Sequence, residues 1–180
     1  IIALECDDGT FAFIDKSLPF SAFSSAAVAN NGAIRAAGLK FQFPVDVKIE
    51  GLDLLVLAPN GCDGTLTIYD SDGTTVLAAI TIDNDAVISA SVARHSAVRF
   101  QPITCLANTY YRAVFVAGTT TAASVYYGDV NAAGLMDGLM GGEEMHWTQR
   151  DSAGAWTDTT TRRPHFGLKL SSAHNGAGGN

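Results

Sequence analysis

Hydrophobic and polar positions alternate over short runs along most of this chain. Leu39, Phe41 and Phe43 alternate with Lys40 and Gln42, and Val45, Val47 and Ile49 alternate with Asp46, Lys48 and Glu50. A period of two puts one set of side chains on one face, which is the mark of a half-buried strand. Pro44 separates these two runs, and residues 52–57 continue as a buried strand. The run from Tyr110 to Val116 sorts the same way. Tyr110, Arg112, Val114 and Val116 share one face, and Tyr111, Ala113 and Phe115 share the other. Residues 9–15, 98–100, 124–127, 145–149, 156–160 and 165–170 read as further strands, with Pro102 ending the second of these and Pro164 preceding the last.

The pattern is organised around residues 65–82. Two β-prone runs flank Asp70-Ser71-Asp72-Gly73, and an Asp-Gly pair between such runs predicts a β-hairpin. Residues 17–31 differ. Pro19, a Ser- and Ala-rich stretch and Asn30-Asn31-Gly32 predict a surface excursion with a helical turn over residues 22–29. Residues 86–97 fit a loop or an irregular strand. Gly134, Gly138, Gly141 and Gly142 make a long helix over residues 131–142 unfavourable. Eight to eleven short strands with turn signals about every ten residues predict an all-β chain, an antiparallel β-sandwich of jelly-roll or Greek-key type. Residues 17–170 are read as one sandwich domain and residues 171–180 as a flexible polar tail. Residues 1–16 are read as a strand or linker continuing from an upstream region, since Ile1-Ile2 is not an initiator.

Composition narrows the function classes. Apolar residues make up 47% and charged residues 16% of 180 positions, which suits a folded, turn-rich protein. The formal net charge is −7, and Arg162-Arg163 is the only adjacent basic pair. Phosphate contacts need clustered Lys and Arg, so a nucleic-acid partner is not expected. No run approaches the roughly 18 apolar residues of a membrane-spanning helix, and no membrane partner is expected. Cys6, Cys62 and Cys105 are too few and too far apart for a disulfide framework or a zinc signature. Reduced thiols are the expectation, with a Cys62–Cys105 bridge as the alternative.

Asp70 and Asp72 resemble the start of a calcium loop, and Asp63 and Asp83 could add oxygens, but the twelfth position, where such a loop needs Glu, is Thr81. The pair is therefore expected to form a turn, with no cofactor and Ca2+ a weak candidate. Glu143, Glu144 and His146 form the densest titratable cluster, yet adjacent strand residues face opposite ways, which does not suit paired-carboxylate hydrolysis. His95-Ser96 lacks a Gly-x-Ser-x-Gly elbow, and His165 and His174 lack metal-like spacing. No phosphate loop or dinucleotide fingerprint is present. No catalytic residues are assigned. Tyr126, Tyr127, Trp147 and Trp156 are the candidates for a sugar-stacking platform.

Four segments carry a resemblance: Gly38-Leu39-Lys40-Phe41-Gln42-Phe43-Pro44, the hairpin from Leu66 to Ala78, Val98-Arg99-Phe100-Gln101-Pro102-Ile103-Thr104, and Asn108-Thr109-Tyr110-Tyr111-Arg112. With residues 156–168, they are similar to a β-sandwich module of virion proteins of tailed bacteriophages. The resemblance spans residues 9–170 and rests on turn and strand motifs. It implies a non-enzymatic structural role on the outer surface of a particle, as capsid decoration or as a tail accessory or fibre part. It implies no catalytic residue. Partners would be other virion proteins and copies of this chain. Pro19, Phe20, Phe23, Leu135, Met136, Leu139 and Met140 are the expected assembly contacts. The alternative is a carbohydrate-binding module that recognises a host-surface glycan.

Overall fold

A computed structural model describes residues 2–5, 11–14, 23–57, 63–82, 94–129 and 144–171. Among them the chain forms strands β1 (Ile2–Glu5), β2 (Phe11–Ile14), β3 (Phe23–Val28), β4 (Ile34–Gln42), β5 (Val47–Leu57), β6 (Gly64–Tyr69) and β7 (Val76–Ile82). It continues with β8 (Arg94–Cys105), β9 (Tyr111–Ala117), β10 (Ala123–Asp129), β11 (Glu144–Asp151), β12 (Trp156–Thr159), β13 (Arg162–Pro164) and β14 (Phe166–Ser171). Every strand pairing is antiparallel.

Strands β3 to β10 trace a jelly roll. One sheet has the order β3-β10-β5-β8, and the sheet facing it has β4-β9-β6-β7. The chain changes sheet at every connection except the β6–β7 hairpin. This interleaving of two Greek keys decides between the topologies that the sequence left open. The β11–β12 hairpin extends the second sheet beyond β4. The β13–β14 segment joins the first sheet by switching partners. β13 pairs with β10 and β14 with β5. At the switch, His165 N–H donates to Tyr126 O and Leu55 N–H donates to His165 O, both at 3.0 Å. β10 meets β5 only at Ser124↔Leu57 and Val125↔Val56, so β14 occupies the rest of that β5 edge.

The core lies between the sheets and uses the predicted faces. Leu39, Phe41, Tyr111, Ala113 and Phe115 are buried in it, as are Leu66 and Ile68 from the hairpin. The two runs around Glu50 prove to be one strand. Ile49 faces the core, and then Leu52, Leu54 and Val56 do, a change of phase by one residue. The ladders to β8 and β14 both slip register beside Glu50, and a bulge of this kind flips the following side chains.

Two expected elements are corrected. Residues 22–29 hold no helical turn among those described; β3 pairs with β10 from Phe23 to Val28. The open β10 edge supplies ladder partners, and Val28 enters the core, so tertiary pairing overrides the weak preference of Ser and Ala. The strand expected to stop at Pro102 instead runs from Arg94 to Cys105. Pro102 is tolerated because it lies in the register slip between Arg99 and Ile103, on a strand that among the described residues pairs only with β5.

Cys105 is a free, buried thiol, and burial pushes its pKa up to about 12. Cys62 lies outside the described residues. The alternative of a Cys62–Cys105 bridge therefore falls outside the described residues.

Candidate functional site on the concave face

The second sheet curls until its outward face is concave. Trp156 of β12 and Tyr69 of β6 are separated by β11, β4 and β9 in the sheet order, yet their rings meet edge to face at 5.6 Å. Gly38 lies at the bend. A Cβ there would sit 2.3 Å from Ala113 O and 2.8 Å from Val114 Cα, so only glycine lets β4 and β9 approach this closely. Ala36 and Val114 line the hollow, and Tyr69, Val116 and Trp156 pack against them.

Polar chemistry gathers in this hollow. Asp158 accepts hydrogen bonds from Lys40 Nζ and Thr148 Oγ1, each at 2.7 Å, and from Arg112 Nη2 at 3.2 Å. Arg112 is 9% exposed and Thr148 0%. Arg112 also donates through Nε to Thr148 Oγ1 at 3.3 Å and lies over the Trp156 ring at 4.9 Å. Arg150 packs over both Tyr69 and Trp156. Burial alone would raise the pKa of Asp158. The hydrogen bonds from Lys40 and Thr148 and the charge on Arg112 outweigh it and hold this carboxyl below the ordinary aspartate range.

At the rim, Tyr110 Oη donates to Glu144, and His146 Nε2 lies 3.1 Å from the same carboxylate. The Tyr110 bond first, and His146 second, lower the Glu144 pKa. The same bond pushes the Tyr110 hydroxyl up to about 12. His146 Nδ1 is buried without a partner among the described residues.

The β6–β7 turn closes the hollow. Asp70 N–H donates to Thr75 O, and Gly73 N–H donates to Asp70 O. Asp72 Oδ1 accepts from Thr74 N–H and Thr75 N–H at 2.7 and 2.8 Å, and its Oδ2 accepts from Thr75 Oγ1 at 2.6 Å. These bonds lower the Asp72 pKa well below the ordinary range. Asp70 Oδ1 accepts from Ser71 N–H. Both carboxylates thus serve as turn acceptors. Among the described residues no three His, Cys, Asp or Glu side chains gather where they could hold a metal ion. Asp63 is exposed, and Asp83 lies outside the described residues.

Gly73 has φ +69° and accepts a 3.0 Å hydrogen bond from Trp156 Nε1 on its carbonyl, which ties β12 to the hairpin. A Cβ at Gly73 would sit 2.8 Å from that indole nitrogen. Gly73→Ala is expected to cost about 1–2 kcal/mol, combining a left-handed backbone with loss of the tie. Urea unfolding of the variant measures it. An unchanged midpoint would refute the contact.

The four candidate sugar-stacking rings lie on different surfaces of the fold. Trp147 is 0% exposed and packs on Tyr127, itself buried, with ring centres 4.6 Å apart. Period-two alternation sends consecutive strand residues to opposite faces, so Tyr126 lies on the outer side of the first sheet. Trp156 lies on the concave side of the second sheet, held by Arg112, Arg150, Tyr69 and Gly73. Of the other sequence candidates, His95 and Ser96 fall in β8, and His165 is half-buried at the partner switch. Pro19, Phe20, Leu135, Met136, Leu139, Met140, Glu143 and His174 lie outside the described residues, and only the backbone of Phe23 is described, in β3. A shallow groove of about 590 Å3 runs beside β3, lined chiefly by small side chains with Tyr127, Gln149 and Arg162.

Sequence reasoning missed the brace around Asp158. The available signal was Arg112, a charge in the middle of an otherwise apolar run whose two faces both had to be covered. A comparison with protein-family models gives no match for this chain, and a search of curated proteins gives none either. The fold and the concave face define a jelly-roll β-sandwich with an ionic brace across one sheet.

Proposed function

We propose that this chain is a non-enzymatic structural protein of a tailed-phage virion, displayed on the outer surface as capsid decoration or as a tail accessory or fibre part. One observation carries the reading. Among the described residues an ionic cluster is spent on itself: Lys40, Arg112 and Thr148 all converge on Asp158, tying β4, β9, β11 and β12 together. Such an arrangement stiffens a module that must hold its shape on a particle. The strand and turn motifs that resemble those of phage virion modules suggest the setting, and jelly rolls are common among capsid proteins, which is an argument from fold analogy. The test is immunogold imaging of intact phage particles with antibody raised against the purified protein. Regular labelling of heads or tails supports the proposal, and its position separates the two placements. Bare particles alongside free antigen in the lysate would sink it.

A further inference from the structure

The groove of about 590 Å3 beside β3 is bounded by residues of both sheets: β3, β10 and β13 of the first, and β4 and β11 of the second. Its volume is in the range of small-ligand sites. The lining is of two kinds. Ala26, Ala29, Ala33, Ala122 and Ile34 supply methyl groups, and Ser25, Tyr127, Gln149 and Arg162 supply polar ones. The polar groups are oriented by their neighbours. Trp147 Nε1–H needs an acceptor, and Gln149 Oε1 takes it at 3.2 Å. That fixes which way the amide lies and leaves Gln149 Nε2 as a donor. Arg162 Nε donates to Asp129 Oδ1 at 3.2 Å, the guanidinium lies over the Tyr127 ring at 4.7 Å, and its two Nη groups are further donors.

We infer that this groove binds a neutral saccharide, with Gln149 Nε2 and Arg162 Nη donating to its oxygens and Asp129 accepting from a hydroxyl. Three features select that chemistry. Donors set beside a carboxylate suit a group that accepts and donates at once, which is what a hydroxyl does. The methyl groups suit a C–H surface, and a sugar ring presents such a surface with hydroxyls at its edge. An anion is disfavoured, because Asp129 already neutralises Arg162 and the chain carries a net charge of −7. Arg162 and Trp147 already lie against the Tyr127 ring, so hydrogen bonds and the methyl surface hold the sugar rather than stacking on that ring. A ligand of monosaccharide size held in this way is expected to bind with a Kd of about 1 mM. Such binding does not depend on where the protein works.

The test is an amide NMR titration of the isotope-labelled protein with glucose, galactose, mannose and N-acetylglucosamine, each up to about 50 mM, where a millimolar site is saturated. At least one sugar is expected to give saturable shifts centred on Ser25, Gly32, Gln149 and Arg162. Gln149→Glu keeps an acceptor for Trp147 Nε1–H but removes the donor in the groove. Arg162→Met keeps the stem over Tyr127 but removes the guanidinium donors. Each variant is expected to weaken binding about tenfold, the effect of losing one good hydrogen bond. Glucuronate is expected to bind no tighter than glucose. Circular dichroism and the melting temperature check that both variants fold, and the wild-type shift map stands without them. The absence of saturable shifts with all four sugars overturns the proposal. So do shifts centred away from the groove, a Kd unchanged in both folded variants, or glucuronate binding about tenfold tighter than glucose.

Discussion

Trp147→Ala is expected to destabilise the protein by about 3–5 kcal/mol, a large part of the margin that keeps a domain of this size folded. Trp147 heads the fully buried side chains by volume. Its ring fills the space against Tyr127, and its Nε1–H donates to Gln149 Oε1 at 3.2 Å. Alanine would leave a cavity under β11, the strand that joins the β12 edge to β4, and nearby strand backbones cannot close it without breaking ladders. Trp147→Phe keeps most of the volume and should cost clearly less. Urea denaturation followed by circular dichroism gives both values, and an alanine effect below about 1 kcal/mol would contradict the packing. The result also bears on recognition. Loss of glycan binding in Trp147→Ala would report a damaged fold, whereas Tyr126→Ala removes a ring from the outer side of the first sheet.

The second large effect is expected at Asp158. Asp158→Asn keeps the shape but removes the charge that Lys40 and Arg112 share, and it leaves the nearly buried Arg112 without a counter-charge. The expected cost is about 2–3 kcal/mol at neutral pH, reduced from that of a fully buried pair because the Asp158 side chain is 27% exposed. The pH dependence has a definite sign. The folded-state pKa of Asp158 lies below its ordinary value of 3.8. Its stabilisation is therefore fully present above that value and is lost as pH falls through the lower, folded-state value. Wild type and variant should converge in stability under strongly acidic conditions and stay well apart near neutrality. Unfolding midpoints measured across that range test this, and parallel curves would mean that Asp158 does not carry the charge of the brace. Asp72 and Glu144 shift in the same direction and add to the acid sensitivity of the wild type.

What was legible beforehand follows from the range of the forces involved. The alternation at Leu39, Phe41 and Phe43, the two-faced run from Tyr110 to Val116 and the Asp-Gly hairpin are local patterns, and each became a strand or turn where expected. The turn role of Asp72 was legible for the same reason, since its partners Thr74 and Thr75 are two and three residues away. β3 was not legible, because Ser and Ala commit to a strand only when an edge such as β10 offers a ladder. The fate of Trp147 was not legible either. Adjacent strand residues face opposite ways, and sequence does not say which way is in.

By itself, the sequence determined the all-β class, the sandwich architecture, most strand positions and the Asp70–Thr75 turn, because periodicity and turn chemistry act over a few residues. Only the tertiary structure decided the jelly-roll order, the inward burial of Trp147 and Tyr127, and the convergence of Lys40, Arg112, Thr148 and Asp158. Those groups are separated by up to 118 residues in the chain, as Lys40 and Asp158 are. They meet because Gly38 lets one sheet curl until its far strands touch, and a packing of that kind leaves no pattern along the sequence.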